Sequence, residues 1–364
     1  MKRLSITILL TIAGILFLTP GYAQFLNMKP GAPHNRRAKE AKTESPDWHS
    51  ISTLRDAHGF FCMYFKDDQN GWVGGASIII HTTDGGKTWE NQWEGGGRVQ
   101  CMYFKNANDG FAAGESNFYI ETHDGGKTWK NGQRFNSSKF EKIFFTDDKT
   151  GFMLTTNTVW RSTDGGKTWK DCGIKKPMAA RSDDLNGLVA VDAKHLIVVG
   201  GNEMMFTSDD GGATWVANNK SYFTGPRKEY CSIAFTDAKN GWISIGHADG
   251  DPASEIDALY TTDGGATWAP KACFDGSPLL NMQFNGKHGW ATRLSKPNSV
   301  YVTHDGGQTW NWSLVAVNTG KAQIGVANTG ATIGRSCGYY FSDNASYAGV
   351  NGGDDGLFSF YVPN

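Results

Sequence analysis

The chain has 364 residues, 39% of them hydrophobic and 20% charged, with a formal net charge of −1 at pH 7. That length suits two average domains or one large all-β ring, and does not choose between them. The near-neutral balance excludes a global field that would draw in nucleic acid or an anionic membrane, leaving only local patches to consider.

Met1-Lys2-Arg3 precedes the apolar run Leu4 to Leu18, followed by Pro20-Gly21-Tyr22-Ala23 and Gln24. A basic start, an apolar stretch short for a bilayer and small residues before a cut read as a signal peptide over 1–23. An uncleaved N-terminal anchor is the alternative. No Cys follows the cut, which argues against lipid attachment there, and no other stretch is long and apolar enough to span. The expected location is secreted or periplasmic. Residues 24–45 are rich in Pro, Lys, Arg and Glu without apolar periodicity, and read as a disordered linker.

From residue 46 one pattern takes over. The phrase Ser/Thr-x-Asp-Gly-Gly-x-Thr-Trp occurs six times, at 82–89, 122–129, 162–169, 208–215, 261–268 and 303–310. It spells a hairpin in turn chemistry, with Asp to accept backbone N–H bonds and Gly-Gly to supply positive φ. The closing tryptophans recur at intervals of 40, 40, 46, 53 and 42 residues, a period that means stacked supersecondary units. Ahead of most boxes an apolar strand ends in Phe, a polar turn follows, and Gly plus an aromatic opens a second strand. Phe65 then Gly71-Trp72, Phe104 then Gly110-Phe111, Phe145 then Gly151-Phe152, Phe235 then Gly241-Trp242, and Phe284 then Gly289-Trp290 are the instances. The fourth unit departs, offering Leu188–Val191 and Leu196–Val199 without that aromatic. A third strand leads into each box and a fourth leaves from its Trp, which makes a four-stranded propeller blade.

The two ends complement each other. Trp48 stands 17 residues ahead of Phe65, close to the 15 and 16 that separate Trp89 from Phe104 and Trp129 from Phe145. Tyr339–Phe341, Tyr347–Val350 and Leu357–Tyr361 supply three strands with no box after them. The expected fold is therefore all-β, a single seven-bladed β-propeller over 46–364, closed by N- and C-terminal strands that share the last blade.

Six cysteines, Cys62, Cys101, Cys172, Cys231, Cys273 and Cys337, stand in a chain whose expected compartment permits disulfides. Most fall where a small apolar residue packs in a core strand, so buried thiols are expected, with one bridge left open. None lies in a C-x-x-C pair or beside a spaced His pair, so zinc is not indicated.

The repeated phrase resembles the Asp-box, or BNR-like repeat, of bacterial sialidases, xyloglucan-cleaving glycoside hydrolases, sortilin-type receptors and the photosystem II assembly/stability factor family. The Gly-Gly within each box, the Gly-aromatic opening of the second strand and the blade count are most similar to the last of these, in its exported bacterial branch. The resemblance implies a structural role at the rim for Asp84, Trp89, Asp124, Trp129, Asp164, Trp169, Asp210, Trp215, Asp263, Trp268, Asp305 and Trp310, and no catalytic residue. Sialidase-like chemistry implies an arginine triad and often an Arg-Ile-Pro, which this sequence lacks. Xyloglucan-cleaving relatives set two carboxylates in a cleft between two propellers, and one propeller cannot make that cleft. Ten-bladed sortilin-type rings are excluded by length.

Candidate binding residues come from the connections between each Trp anchor and the next inner strand. Arg55, Arg98, Arg134, Arg181, Arg227 and Arg335 all lie there, six of the eight arginines in 46–364, joined by Lys175, Lys176 and Lys228. In a ring these positions encircle the mouth of the central channel, where guanidinium groups receive carboxylates or an acidic peptide. The plain alternative is solvated loop charge. An acidic insertion (Asp249, Asp251, Glu255, Asp257) and Asp354-Asp355 oppose them. Neither has a full calcium-loop spacing, and they are the best source of carboxylates for any hidden glycosidase.

The expected function is an exported, non-enzymatic scaffold that holds a protein or peptide partner at the cell envelope, as a monomer without cofactor, metal or nucleic acid. The alternative is a sialidase-like or xyloglucanase-like glycoside hydrolase acting on extracellular glycans. A third reading is a spacer with no specific ligand.

Overall fold

The computed structural model describes residues 48–55, 60–136, 139–177, 184–223, 228–246, 257–272, 279–293, 299–314, 339–341, 346–352 and 357–363. The leader, the linker, Arg181, Arg227, Arg335, Cys273, Cys337 and the acidic stretches 247–256 and 353–356 lie outside these residues, as does the side chain of Arg55.

Every described element is a strand, and every pairing between strands is antiparallel. Strand β1 is Trp48–Arg55. Next come β2 (Phe60–Phe65), β3 (Gly71–Thr82), β4 (Glu90–Phe104), β5 (Gly110–Gly114), β6 (Tyr119–Thr122) and β7 (Lys130–Asn131), joined in chain order as one six-stranded sheet. Three four-stranded sheets follow. They are β8 (Phe140–Phe145), β9 (Gly151–Thr155), β10 (Val159–Ser162) and β11 (Lys170–Asp171); β12 (Leu185–Ala190), β13 (Leu196–Gly200), β14 (Met205–Ser208) and β15 (Val216–Ala217); and β16 (Glu229–Phe235), β17 (Gly241–Gly246), β18 (Ala258–Thr261) and β19 (Ala269–Lys271). A fourth contains β20 (Leu279–Asn285), β21 (His288–Arg293), β22 (Ser299–Thr303) and β23 (Asn311–Leu314). In the last, β24 (Tyr339–Phe341), β25 (Ser346–Gly352) and β26 (Leu357–Pro363) are joined by β1, whose Trp48 pairs with Pro363 and Arg55 with Leu357.

The all-β propeller architecture stands, but the expected division into seven sheets does not. Hydrogen bonding gives five four-stranded sheets and one of six. Strand β3 runs on through Ala76 and Ser77 (φ 68) with a register shift where a turn was expected. Strand β4 pairs with β3 over Glu90 to Arg98 and with β5 over Val99 to Phe104. Its Gly95-Gly96-Gly97 segment passes through Gly97 at φ 141, a conformation glycine adopts readily, without reversing the chain, and so fuses what the pattern divides.

Successive first strands lie side by side, from β24 to β2, β4, β8, β12, β16 and β20. The core fills the space between neighbouring sheets. Phe152 and Leu154 of β9, for example, pack with Leu188 of β12 and Leu196 and Val198 of β13.

The Phe, Gly and Trp of the repeat interlock within a sheet. Gly71 opens β3 because a Cβ there would lie 2.4 Å from the Phe65 ring, and Gly110 stands in the same relation to Phe104, also at 2.4 Å. The box Trp then closes edge-on against that Phe, with ring centroids 6.3 Å apart for Phe65–Trp89, 5.8 Å for Phe104–Trp129 and 5.7 Å for Phe145–Trp169. The second box Gly instead meets the preceding unit. A Cβ on Gly166 (φ 91) would sit 2.6 Å from Phe111, and one on Gly307 (φ 87) 2.7 Å from Trp242. Glycine at this position lets the turn dock on its neighbour, which is why the box carries two.

Candidate functional site

The six boxes are built alike. In each, the closing Thr hydroxyl donates to the Asp carboxylate at 2.5–2.6 Å. The second Gly N–H donates to the opening Ser/Thr hydroxyl at 2.8–2.9 Å. At Asp84 and Asp164 partial burial pushes the pKa up, but the bonds from Thr88 and Thr168 outweigh it. At Asp124, Asp210 and Asp263 the bonds from Thr128, Thr214 and Thr267 dominate. All five carboxylates are held at about 2. Asp305 is lowered as well, its burial overcome by Thr309. Each box is also tied to the turn after the first strand of its own unit, as in Gly85 N donating to Gln69 O at 3.0 Å and Gly165 N to Lys149 O at 2.9 Å.

The other end of each first strand is therefore the face away from the boxes, and there the ladder slips. One extra residue interrupts the register of β2, β4, β8, β12 and β16, leaving Phe61, Gln100, Glu141, Asn186 and Cys231 as bulges. Each stands four residues before the end of its strand, at Phe65, Phe104, Phe145, Ala190 and Phe235. A bulge bends the strand and re-aims a side chain, and bulges are over-represented beside binding sites.

A chain of polar contacts runs along this rim. Arg98 Nη1 lies 3.3 Å from Glu115 Oε2 and its guanidinium 4.7 Å from the centre of the Phe61 ring. Gln100 Nε2 donates to Glu115 Oε1 at 3.1 Å, and Lys139 Nζ lies 3.3 Å from Glu141 Oε1. Asn186 Nδ2 donates to Glu229 Oε1 at 3.2 Å and to Tyr230 O at 3.0 Å. Glu203 accepts from Lys228 N at 3.1 Å and from Ser221 Oγ at 2.8 Å. It borders a cleft of about 170 Å³ that Pro177, Asn202, Met205 and Lys220 help to line. Each of these carboxylates thus has a partner.

Lys142, beside the Glu141 bulge, extends to the next sheet and donates to Leu188 O at 3.0 Å. Although the residue is exposed along its stem, its ammonium is packed against Leu188 O and the Phe144 ring, and the desolvation there lowers its pKa to about 8. Cys62, Cys101, Cys172 and Cys231 are free thiols. Burial pushes Cys62 up to about 12, Cys172 to about 11 and Cys101 well above the ordinary thiol value, so these three are packing groups rather than nucleophiles.

Of the six expected arginines, the side chains of two are described. Arg98 is tied to Glu115 and Phe61, and Arg134 is exposed in the connection after β7. Arg55 sits on β1 opposite Leu357. The structure adds Gln100, Glu115, Glu141, Asn186 and Glu229, which the sequence reading passed over. A column four residues before the end of the first strand, apolar at Phe61 but polar at Gln100, Glu141 and Asn186, was the available signal for three of these. No group of three or more His, Cys, Asp or Glu side chains placed to hold a metal occurs among the described residues.

Residues 111–321 match the family described as the DUF6242 beta propeller domain. The chain belongs to this beta propeller family. Residues 39–131 of this DUF6242 propeller match a second description, Photosynthesis system II assembly factor YCF48. The chain is 31% identical over 127 residues to the photosystem II assembly lipoprotein Ycf48 of Synechococcus sp. (strain CC9902), spanning 34% of each protein. It thus covers about a third of the curated relative it matches. The structure of YCF48 bound to D1 peptide has a TM-score of 0.62 at 18% identity, covering 89% of this chain and 99% of that one. The GH74 xyloglucanase from Xanthomonas campestris has a TM-score of 0.56 at 14% identity, covering 84% of this chain and 52% of that one. At these identities the two structures speak to the fold alone. No helix among the described residues is long and apolar enough to cross a membrane.

Proposed function

We propose that the chain is an exported, non-enzymatic propeller whose bulge-lined rim binds a protein or peptide, acting in assembly at the cell envelope. The observation that carries this reading is the polar series at one end of the first strands, from Arg98–Glu115–Gln100 to Asn186–Glu229. Such a series presents alternating charge and amide groups to an extended ligand, and the bulges turn it toward solvent. A peptide-bound YCF48 of the same fold supports the reading. So does the pairing of each rim carboxylate with a neighbour, since glycoside hydrolysis uses two carboxylates facing a single bond.

In this reading the six-stranded sheet is two blades run together, with β3 folding back on itself as two strands of the first and β4 shared between the two, so that the ring has seven blades over 46–364 despite its six hydrogen-bonded sheets. The box aspartates and tryptophans are structural. Arg55, Arg134, Arg181, Arg227 and Arg335 extend the Arg98 patch around the mouth, the protein works as a monomer, and residues 1–23 direct it out of the cytoplasm.

The test is capture of envelope proteins on immobilised chain, with Arg98→Glu, Arg181→Glu and Arg227→Glu combined in one variant. Loss of the captured species with an unchanged melting curve is expected. Identical capture by both proteins would refute the rim as the binding surface.

A further inference from the structure

The face that carries the boxes holds a feature that this function does not use. In three units, a residue at the start of the second strand, just before it for Asp109 and His195 and its first residue for His288, meets the second residue of the box. His123 Nδ1 lies 2.8 Å from Asp109 Oδ1, and His195 Nδ1 lies 2.5 Å from Asp209 Oδ1. In both, an imidazole faces a carboxylate, and the pair is complete in itself. The third pair is different. His288 Nδ1 lies 2.9 Å from His304 Nδ1, with ring planes at 74° and both residues exposed.

Two imidazoles that meet through like nitrogens share one proton in a hydrogen bond, and with both protons moved to Nε2 they bring two lone pairs to the same side. A metal ion uses both lone pairs. The backbone holds the two residues in register, because Gly306 N donates to Lys287 O at 2.8 Å, one position from His288 and two from His304. The box around His304 is fixed in turn by the Thr303, Asp305 and Thr309 bonds. Metal–imidazole bonds are about 2.0–2.1 Å, so a 2.9 Å nitrogen separation subtends about 90° at the ion. That is the cis edge of a square plane, whereas a tetrahedral ion needs nitrogens about 3.3 Å apart. Tetragonal nitrogen sites favour Cu(II) and Ni(II), with Cu(II) the stronger.

We propose that His288 and His304 form a two-imidazole site for a tetragonal divalent cation, Cu(II) before Ni(II), with water completing the coordination. The ligands come from two hydrogen-bonded turns, so the ion enters a prepared chelate. Asp109–His123 and Asp209–His195 occupy the same place without forming such a pair.

The test titrates Cu(II) into the purified chain, following heat and the electron paramagnetic resonance spectrum, beside His288→Ala, His304→Ala and the control His123→Ala. The expected result is a two-nitrogen copper signal whose affinity falls at least about tenfold in either of the first two variants, through loss of the chelate, and is unchanged in the third. Cu(II) should also raise the melting temperature of the unsubstituted protein but not of His288→Ala or His304→Ala. Both residues are exposed, and His304→Asn, which keeps a turn-forming side chain, provides a second variant. Equal copper binding by all variants, or loss with His123→Ala alone, overturns the site.

Discussion

The two ends of the sheets obey different rules. At the box end, six units repeat the same bond between Thr hydroxyl and Asp carboxylate within 0.1 Å. At the bulge end, one register position holds Phe61, Gln100, Glu141, Asn186 and Cys231, with a different partner set at each polar residue. Where side chains define the backbone turn, each unit needs the same side chains. Where the backbone bulge is already formed by the ladder, the side chain is released for other work.

The largest effect that would break this contrast lies under the box end. Phe104 is 2% exposed, stacks on Trp72 at 3.7 Å and meets Trp129 edge-on. Phe104→Ala is expected to cost about 3–5 kcal/mol in urea unfolding, by opening a cavity among the packed rings of the six-stranded sheet. Gly166→Ala should cost about 2–3 kcal/mol in the same measurement. The new methyl meets Phe111 at 2.6 Å on a backbone with φ 91, so overpacking adds to strain.

Acid gives a smaller, graded test. The box carboxylates stand at about 2 when folded against an ordinary 3.8, so the folded state holds fewer protons in that interval. Their contribution is complete above about pH 4 and is lost as pH falls through about 2. The melting temperature should therefore drop across this window, and Asp84→Asn should flatten the drop; a pH-independent melting point would remove the boxes as the cause. The smallest stability effect belongs to the rim. Glu115→Gln should change unfolding by no more than about 0.5 kcal/mol, because the Arg98 pair is partly exposed, while reducing partner capture. A rim substitution that unfolds the protein would erase the distinction between the two ends.

The sequence revealed the box end well. Asp-Gly-Gly, the strand-ending Phe and the closing Trp each have a local meaning, and all meet as neighbours within one unit. Two features were harder to read. Gly95-Gly96-Gly97 suits a turn as well as an extended strand, so the fusion of β3 and β4 into a six-stranded sheet left no local mark. A bulge adds one residue without demanding any residue type, so Gln100 and Glu141 looked like ordinary strand positions. Arg98 was found on its connection, but its partner Glu115 lies 17 residues away across a different turn. The sequence supplied one half of that pair and the folded sheet supplied the other.

The union of β1 with β26 carries a temporal consequence. Trp48 meets Pro363 across more than three hundred intervening residues, so the loop-closure entropy for this sheet is the greatest among the described sheets. The other sheets can form from neighbouring segments as the chain lengthens, while this one waits for the final strand to emerge. Once β26 has emerged and before β1 docks on it, its edge is open, and a free peptide copying residues 48–55 would compete with the chain's own β1 for that place, slowing maturation without touching any finished surface.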